Sequence, residues 1–223
     1  MNLKGFLIAV YSFISLLLVI VFMFLFKNKI YSIRKLWSTS MVKLIGVDIK
    51  EIGKIDNSAD IILLNHNSMF DIVLLDYLYP KDIAWVANSK LAKVPVFGLI
   101  FKLPNLILID PIKRSSIRTL ITRVQEELLH NRPIGIFPEG TRGDNDEIIK
   151  FQKGIKTIVE RLNLKVQPIV LVDTRERLDT KTLKSSSGEI KLIYLDTIQA
   201  SNEDWYEELE KNFKKIYKQN KSD

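Results

Sequence analysis

From Phe6 to Phe26 the chain carries no charged side chain, and only Tyr11, Ser12 and Ser15 interrupt an otherwise apolar run. As a helix this run would be about 31 Å long, against a bilayer hydrocarbon core of about 30 Å. A secretory signal has a shorter apolar region followed by small residues at a cleavage point. Here Phe22, Met23, Phe24 and Phe26 lead straight into Lys27, so the segment reads as retained. Its surroundings locate the net charge of +7. Residues 1–47 hold Lys4, Lys27, Lys29, Arg34, Lys35 and Lys43 and no acidic residue, which leaves 27 basic and 26 acidic side chains in the other 176 residues. The body is nearly neutral. An excess that flanks the most apolar stretch points to anionic lipid as partner, whereas a nucleic-acid binder would carry its basic stripe on the folded domain. Only Lys4 and the amino terminus precede the segment, so the positive-inside rule places the body on the cytoplasmic face.

After the apolar run, Ile30, Ile33, Trp37, Met41 and Leu44 recur at three- and four-residue intervals, with Arg34, Lys35, Ser38 and Lys43 on other faces. Residues 1–46 are therefore expected to form a two-helix membrane anchor, either spanning the bilayer or lying in its interface. From residue 47 to 223 short apolar runs alternate with helical patterns, the signature of an α/β domain with a largely parallel central sheet flanked by helices. Strands are expected at Val47–Ile52, Asp60–Leu64, Ile83–Ala87, Leu106–Ile109, Ile134–Phe137, Val166–Val172 and Ile190–Leu195. Helices are expected between Ser116 and Leu129 and after Asp204, where Trp205, Leu209, Phe213 and Ile216 form one face.

Several chemistries are excluded. Cysteine is absent, so there is no thiol nucleophile and no cysteine-ligated metal. The glycines form no G-x-G-x-x-G or G-x-S-x-G, and Gly140 is followed by Thr141 and Arg142 instead of the lysine of a P-loop. No metal-ligating cluster stands out, and His130, near a helix end before Pro133, suits dipole compensation.

Two segments remain. Asn65-His66-Asn67-Ser68-Met69-Phe70-Asp71 lies where a strand gives way to a helix, a usual ligand position in open α/β sheets. On a continuous helix, positions five apart point about 140° away from each other, so His66 and Asp71 meet only if Asn67 and Ser68 make a turn. His66 would then be a general base with Asp71 fixing its tautomer. The same residues also read as a capping box, Ser68-x-x-Asp71. Phe137-Pro138-Glu139-Gly140-Thr141-Arg142 offers close backbone approach at Gly140 and a planar guanidinium suited to phosphate, or else a type I turn followed by a solvated arginine.

Together these segments resemble those of the glycerolipid acyltransferases of the 1-acylglycerol-3-phosphate type. Asn65, His66 and Asp71 match the family's N-H-x-x-x-x-D block, and Phe137 to Arg142 match its F-P-E-G-T-R block. Val94-Pro95-Val96-Phe97-Gly98 looks like the region between the two. Ile107–Asp110 with Arg114 looks like a loose second block, and Val166-Gln167-Pro168-Ile169 is similar to a fourth. The sequence departs from the family pattern at Asn88, Lys90 and Pro111. The resemblance spans roughly residues 47–172. It implies transfer of an acyl group from a coenzyme A or acyl-carrier-protein thioester to the 2-hydroxyl of a lysophosphatidate, giving phosphatidate, with no further cofactor. His66 would be the base and Asp71 its orienter. Gly140, Thr141 and Arg142, with Lys113 and Arg114, would hold the acceptor phosphate, and Glu139 would position Arg142 or a backbone loop. The apolar run from Val94 to Ile109 could line an acyl groove or belong to the core. Another lysolipid or a glycerol phosphate could serve as acceptor, and a non-catalytic lipid-binding module is the reading from another class.

Overall fold

Why the first helix tolerates its three hydroxyls is clear once its neighbour is seen. In the computed structural model, which describes residues 1–110, 116–143, 147–200 and 202–221, helix α1 (Leu3–Leu25) is followed by a short 3-10 turn and an antiparallel helix α2 (Ile30–Ile45). Tyr11 Oη donates to Ser40 Oγ at 2.8 Å, and Trp37 Nε1 donates to Ser15 Oγ at 2.9 Å. The polar interruptions thus line the side of α1 that meets α2. The opposite side, with Phe6, Val10, Phe13, Val21 and Phe24, is exposed. Gly46, at φ +70, closes α2 in the left-handed conformation that favours glycine.

Helix α2 presents a different face from the one its apolar spacing suggests. Its buried residues are Arg34, Ser38, Met41, Val42 and Ile45, while Leu44 is exposed. Arg34 is buried because the next helix (Phe70–Leu78) meets it with Asp76, at 2.7 Å from Nη2, and Asp82 lies 3.0 Å from Nη1. Those partners come from another element, so the pattern within α2 could not announce them.

The remaining elements are β1 (Val47–Ile52), β2 (Ile61–Leu64), α3 (Phe70–Leu78), β3 (Ala84–Asn88), α4 (Leu99–Lys102), β4 (Ile107–Ile109), α5 (Ser116–Leu129), β5 (Ile134–Ile136), α6 (Lys153–Leu162), β6 (Lys165–Val172), α7 (Thr174–Arg177), β7 (Leu178–Asp179), β8 (Lys184–Ser185), β9 (Gly188–Tyr194), β10 (Ile198–Gln199) and α8 (Trp205–Asn220). The main sheet runs β1-β9-β6-β2-β5-β3-β4, and every neighbouring pair on that path is parallel except β6 with β9. Beyond it, β10 pairs antiparallel with β6, and β7 and β8 form a separate hairpin. This is the expected α/β fold with a mainly parallel sheet.

Alternation along the strands builds two cores. Ile61 and Leu63 join a cluster with α5, α6 and α8, while Ile62 and Leu64 join one with α1, α2 and α3. Each such fully buried aliphatic side chain contributes roughly 1.5–3 kcal/mol of burial energy. Pro168 sits inside β6, where a missing N–H would normally break a ladder. It is tolerated because its carbonyl, and so its nitrogen, faces the edge where β9 hands over to β10; the carbonyl accepts from Leu195 N–H at 3.0 Å.

Candidate active site

Strands β6, β2 and β5 lie side by side and parallel, so the loops leaving their carboxyl ends converge. The loop after β2 carries Asn65 to Met69, the loop after β5 carries Phe137 to Gly143, and β6 leads through Asp173 into α7.

Asn65 anchors the first loop to β6: its amide donates to Leu171 O and accepts from Leu171 N–H, both at 2.8 Å. The chain then turns back over the start of α3, so that Asp71, fully buried, collects four donors. Its Oδ2 accepts from the backbone N–H groups of Asn67 and Ser68, each at 2.8 Å, and lies 2.9 Å from His66 Nδ1. Its Oδ1 accepts from Thr174 Oγ1 at 2.6 Å. The carboxylate that satisfies the N–H groups of the turn leading into α3 therefore also faces the imidazole. A carboxylate against Nδ1 places the ring proton there and leaves the Nε2 lone pair to take a proton from a substrate.

The ring is clamped as well as oriented. His66 stacks on Phe137 with centroids 3.8 Å apart, and Phe137 stacks on Trp85 at 5.4 Å. Phe137 belongs to the second segment, but nothing in the sequence pointed to it as the platform of the first. The same holds for Thr174, and for Tyr217 of α8, whose hydroxyl accepts from Asn67 Nδ2 at 2.8 Å. Their partners lie on separate elements, and only folding joins them.

Phe137 to Gly140 form a hydrogen-bonded turn, Gly140 N–H to Phe137 O at 3.0 Å, with Pro138 second and Gly140 fourth. Gly140 has φ +72, and a Cβ there would lie 3.2 Å from Gln152 Cγ. Glu139 is buried, and both its oxygens are committed to backbone. Oε1 accepts from His66 N–H at 2.7 Å and Oε2 from Ile149 N–H at 2.9 Å. Burial pushes its carboxyl up to about 7, the two N–H bonds opposing this and the Asp71 charge adding to it. Gly143 N–H then donates to His66 O at 3.1 Å. The two segments are thus bonded to each other through the backbone of His66, on one side of the molecule. Arg142, next to Gly143, donates from Nη1 to Thr180 Oγ1 at 3.3 Å, on the β7–β8 connection. Thr141 and Gly140 are exposed. Lys113 and Arg114 lie outside the described residues.

The stretch from Val94 to Ile109 forms a tight loop, α4 and β4. Val94, Val96 and Leu99 are exposed, and Phe97 packs on Phe13 of α1 with centroids 5.3 Å apart.

The acyltransferase family model matches residues 47–172. A 1-acyl-sn-glycerol-3-phosphate acyltransferase of Helicobacter pylori is 37% identical over 177 residues, covering 78% of this chain and 75% of that one. The protein of the same description from Cocos nucifera is 30% identical over 159 residues, covering 71% of this chain and 51% of its own length. The crystal structure of the 1-acyl-sn-glycerophosphate acyltransferase PlsC of Thermotoga maritima superimposes with a TM-score of 0.72 at 20% identity, covering 97% of this chain and 91% of that one.

Proposed function

Since the chain belongs to the acyltransferase family, with relatives of the 1-acylglycerol-3-phosphate O-acyltransferase type, we propose that it transfers a fatty acyl group from a coenzyme A or acyl-carrier-protein thioester to the 2-hydroxyl of 1-acylglycerol-3-phosphate, giving phosphatidate. The observation that carries this is the 2.9 Å contact between His66 Nδ1 and buried Asp71, in a loop bonded to the backbone beside Arg142. His66 Nε2 takes the hydroxyl proton as the oxygen attacks the thioester carbon. The tetrahedral intermediate collapses with cleavage of the carbon–sulfur bond, and the imidazolium returns its proton to the departing thiolate. Asp71 stabilises the imidazolium, and the Phe137–Trp85 stack keeps the ring from turning. Arg142, with the backbone at Gly140 and Thr141, holds the acceptor phosphate, so the hydroxyl is positioned before reaction begins. Glu139 acts at one remove, fixing the His66 backbone against the 149 region.

The protein works at a membrane surface in this reading, with α1 lying in the interface. Asn2 bonds to Ser185 in both directions, at 2.9 and 3.2 Å, and Lys4 Nζ donates to Ile45 O and Ser187 Oγ, each at 2.6 Å. A spanning helix would carry Asn2 to the far side of the bilayer from Ser185 and break all of these. Exposed Lys27, Lys29 and Lys43 suit the anionic cytoplasmic leaflet.

The test is direct. Purified chain given 1-acylglycerol-3-phosphate and an acyl thioester should yield phosphatidate, and His66→Ala should lower kcat by about 10²–10⁴-fold with an unchanged circular dichroism spectrum. A His66→Ala variant that keeps most of the rate removes His66 as the base.

A further inference from the structure

Helix α3 carries two aspartates near the site, and Asp71, at its start, meets His66 Nδ1. Asp76, five residues on, lies on another face of the helix. It holds Arg34 of α2 through both oxygens, Oδ1 accepting from Nη2 at 2.7 Å and Oδ2 from Nη2 and Nε at 2.7 and 3.1 Å. An ion pair between two helices accounts for all of that. It does not account for a further donor, the indole Nε1 of Trp85, which donates to Asp76 Oδ1 at 2.9 Å.

Trp85 is buried and pairs across β3 and β5 with Gly135, where a Cβ would lie 2.4 Å from Trp85 Cε3. The indole therefore fills the space over that glycine and reaches Phe137, two residues further along and on the same face of the sheet. The Trp85 and Phe137 rings are 9° from parallel with centroids 5.4 Å apart, and those of Phe137 and His66 are 19° from parallel at 3.8 Å.

Near-parallel rings slide over one another easily, so stacking sets the spacing of the planes and leaves the position within each plane soft. A hydrogen bond to a carboxylate is stronger and directional. The Nε1 bond thus fixes the indole in its own plane, and a buried indole N–H that loses its acceptor must turn or shift to find another. Phe137 follows the indole, and the imidazole follows Phe137. Asp71 holds His66 at a ring edge, while the stack sets the tilt of the ring and hence where Nε2 points. Resting on the reaction proposed above, we infer that Asp76 is a positioning residue of the acyl transfer: its carboxylate fixes Trp85, and through Phe137 sets the plane of the His66 ring.

Two variants with the same loss of charge isolate the bond to the indole. Arg34→Met with Asp76→Leu removes the ion pair and the acceptor, and Arg34→Met with Asp76→Asn removes the ion pair but restores an amide oxygen for Trp85 at nearly the same volume. Asp82, the other partner of Arg34, keeps Arg132 in both. The readouts, on full-length protein in detergent micelles, are kcat and KM with 1-acylglycerol-3-phosphate and acyl-CoA, and the imidazole resonances of histidine-labelled protein. The chain has two histidines, and His130→Gln, at an exposed position after α5, leaves His66 alone in the spectrum. Asp76→Leu in the Arg34→Met chain should lower kcat by about ten- to a hundredfold at little-changed KM and move the His66 resonances away from the upfield position that the face of Phe137 gives them, and Asp76→Asn should recover most of both. In a Trp85→Phe background, which has no indole N–H, Asp76→Leu and Asp76→Asn should give the same kcat.

Equal kcat for the two Arg34→Met variants overturns the inference and leaves the reaction standing, as does a lower kcat with the His66 resonances in place. If the Asp76→Leu variant does not fold, Trp85→Phe alone decides, because it removes the same bond and leaves the ion pair whole: wild-type kcat and resonances overturn the inference. If the wild type acylates no 1-acylglycerol-3-phosphate while Asp76→Leu still shifts the His66 resonances, the hold on the ring stands and the proposed reaction does not.

Discussion

Asp71 has four donors on two oxygens, and an asparagine could accept with only one of them. Asp71→Asn should therefore lower kcat by about 10²–10⁴-fold, since the ring loses both its orientation and its counter-charge. It should also destabilise the fold by about 1–3 kcal/mol for each buried donor left unpaired, measurable in urea unfolding at fixed detergent. Glu139 makes a different prediction. Its carboxyl is held at about 7 in the folded protein against an ordinary value of 4.5, so folding takes up a proton between those values. Its contribution is most favourable below the lower value, is lost as pH rises to the upper one, and is level beyond it. The urea midpoint of the wild type should fall from about pH 5 to about pH 7, a window worth roughly 3 kcal/mol, and Glu139→Gln should flatten that slope. An unchanged slope in Glu139→Gln would assign the effect to another group.

The β7–β8 hairpin is among the elements that sequence periodicity missed, with α6, α7 and β10. Its strands are two residues each and mostly polar, too short to alternate. What holds it is distant in the chain: Asn2 N–H donates to Leu183 O at 3.2 Å, and the Asn2 side chain bonds Ser185 across 183 positions. Gly5 makes that approach possible, because a Cβ at this position would lie 2.3 Å from Leu183 O. Gly5→Val should push the start of α1 off the hairpin, seen as faster hydrogen exchange across residues 178–187, with exchange in β2 and β5 little altered. Helix α2 teaches the complementary lesson. Its spacing announced a helix of the right length, but the buried face is turned toward Arg34 and Ser38, because Asp76 and Asp82 neutralise a charge that looked destined for solvent.

For the molecule as a whole, the placement of α1 decides how the domain would meet lipid in the proposed function. With the amino terminus docked beside Ser185, an added N-terminal cysteine in this cysteine-free chain should react with a membrane-impermeant maleimide from the same side of a vesicle as the body. Protection until detergent is added would mean that α1 spans. Exposed Val94, Val96 and Leu99 lie in the segment that packs against α1 through Phe97 and Phe13, so in the interfacial placement proposed for α1 lipid contact would extend from the helix onto the body. Replacing Val96 and Leu99 by serine should weaken vesicle binding by more than the loss of either side chain from a soluble surface would suggest, as read by co-sedimentation with anionic vesicles.

Alternation of apolar runs was enough to give the α/β class, most strands to within a residue or two and the long uncharged helix, because burial on a sheet or helix face writes a local period into the chain. The two motif segments stood out by their turn residues, a histidine and an arginine, but each also read as a capping box or a plain turn, and the family resemblance was what joined them. Which side chains would clamp His66, where both oxygens of Glu139 would be spent and which face α2 would bury were decided by contacts between elements far apart in the chain. A hydrogen bond or a stacked ring depends on distances of a few ångströms between atoms, and only the packed sheet order sets those distances.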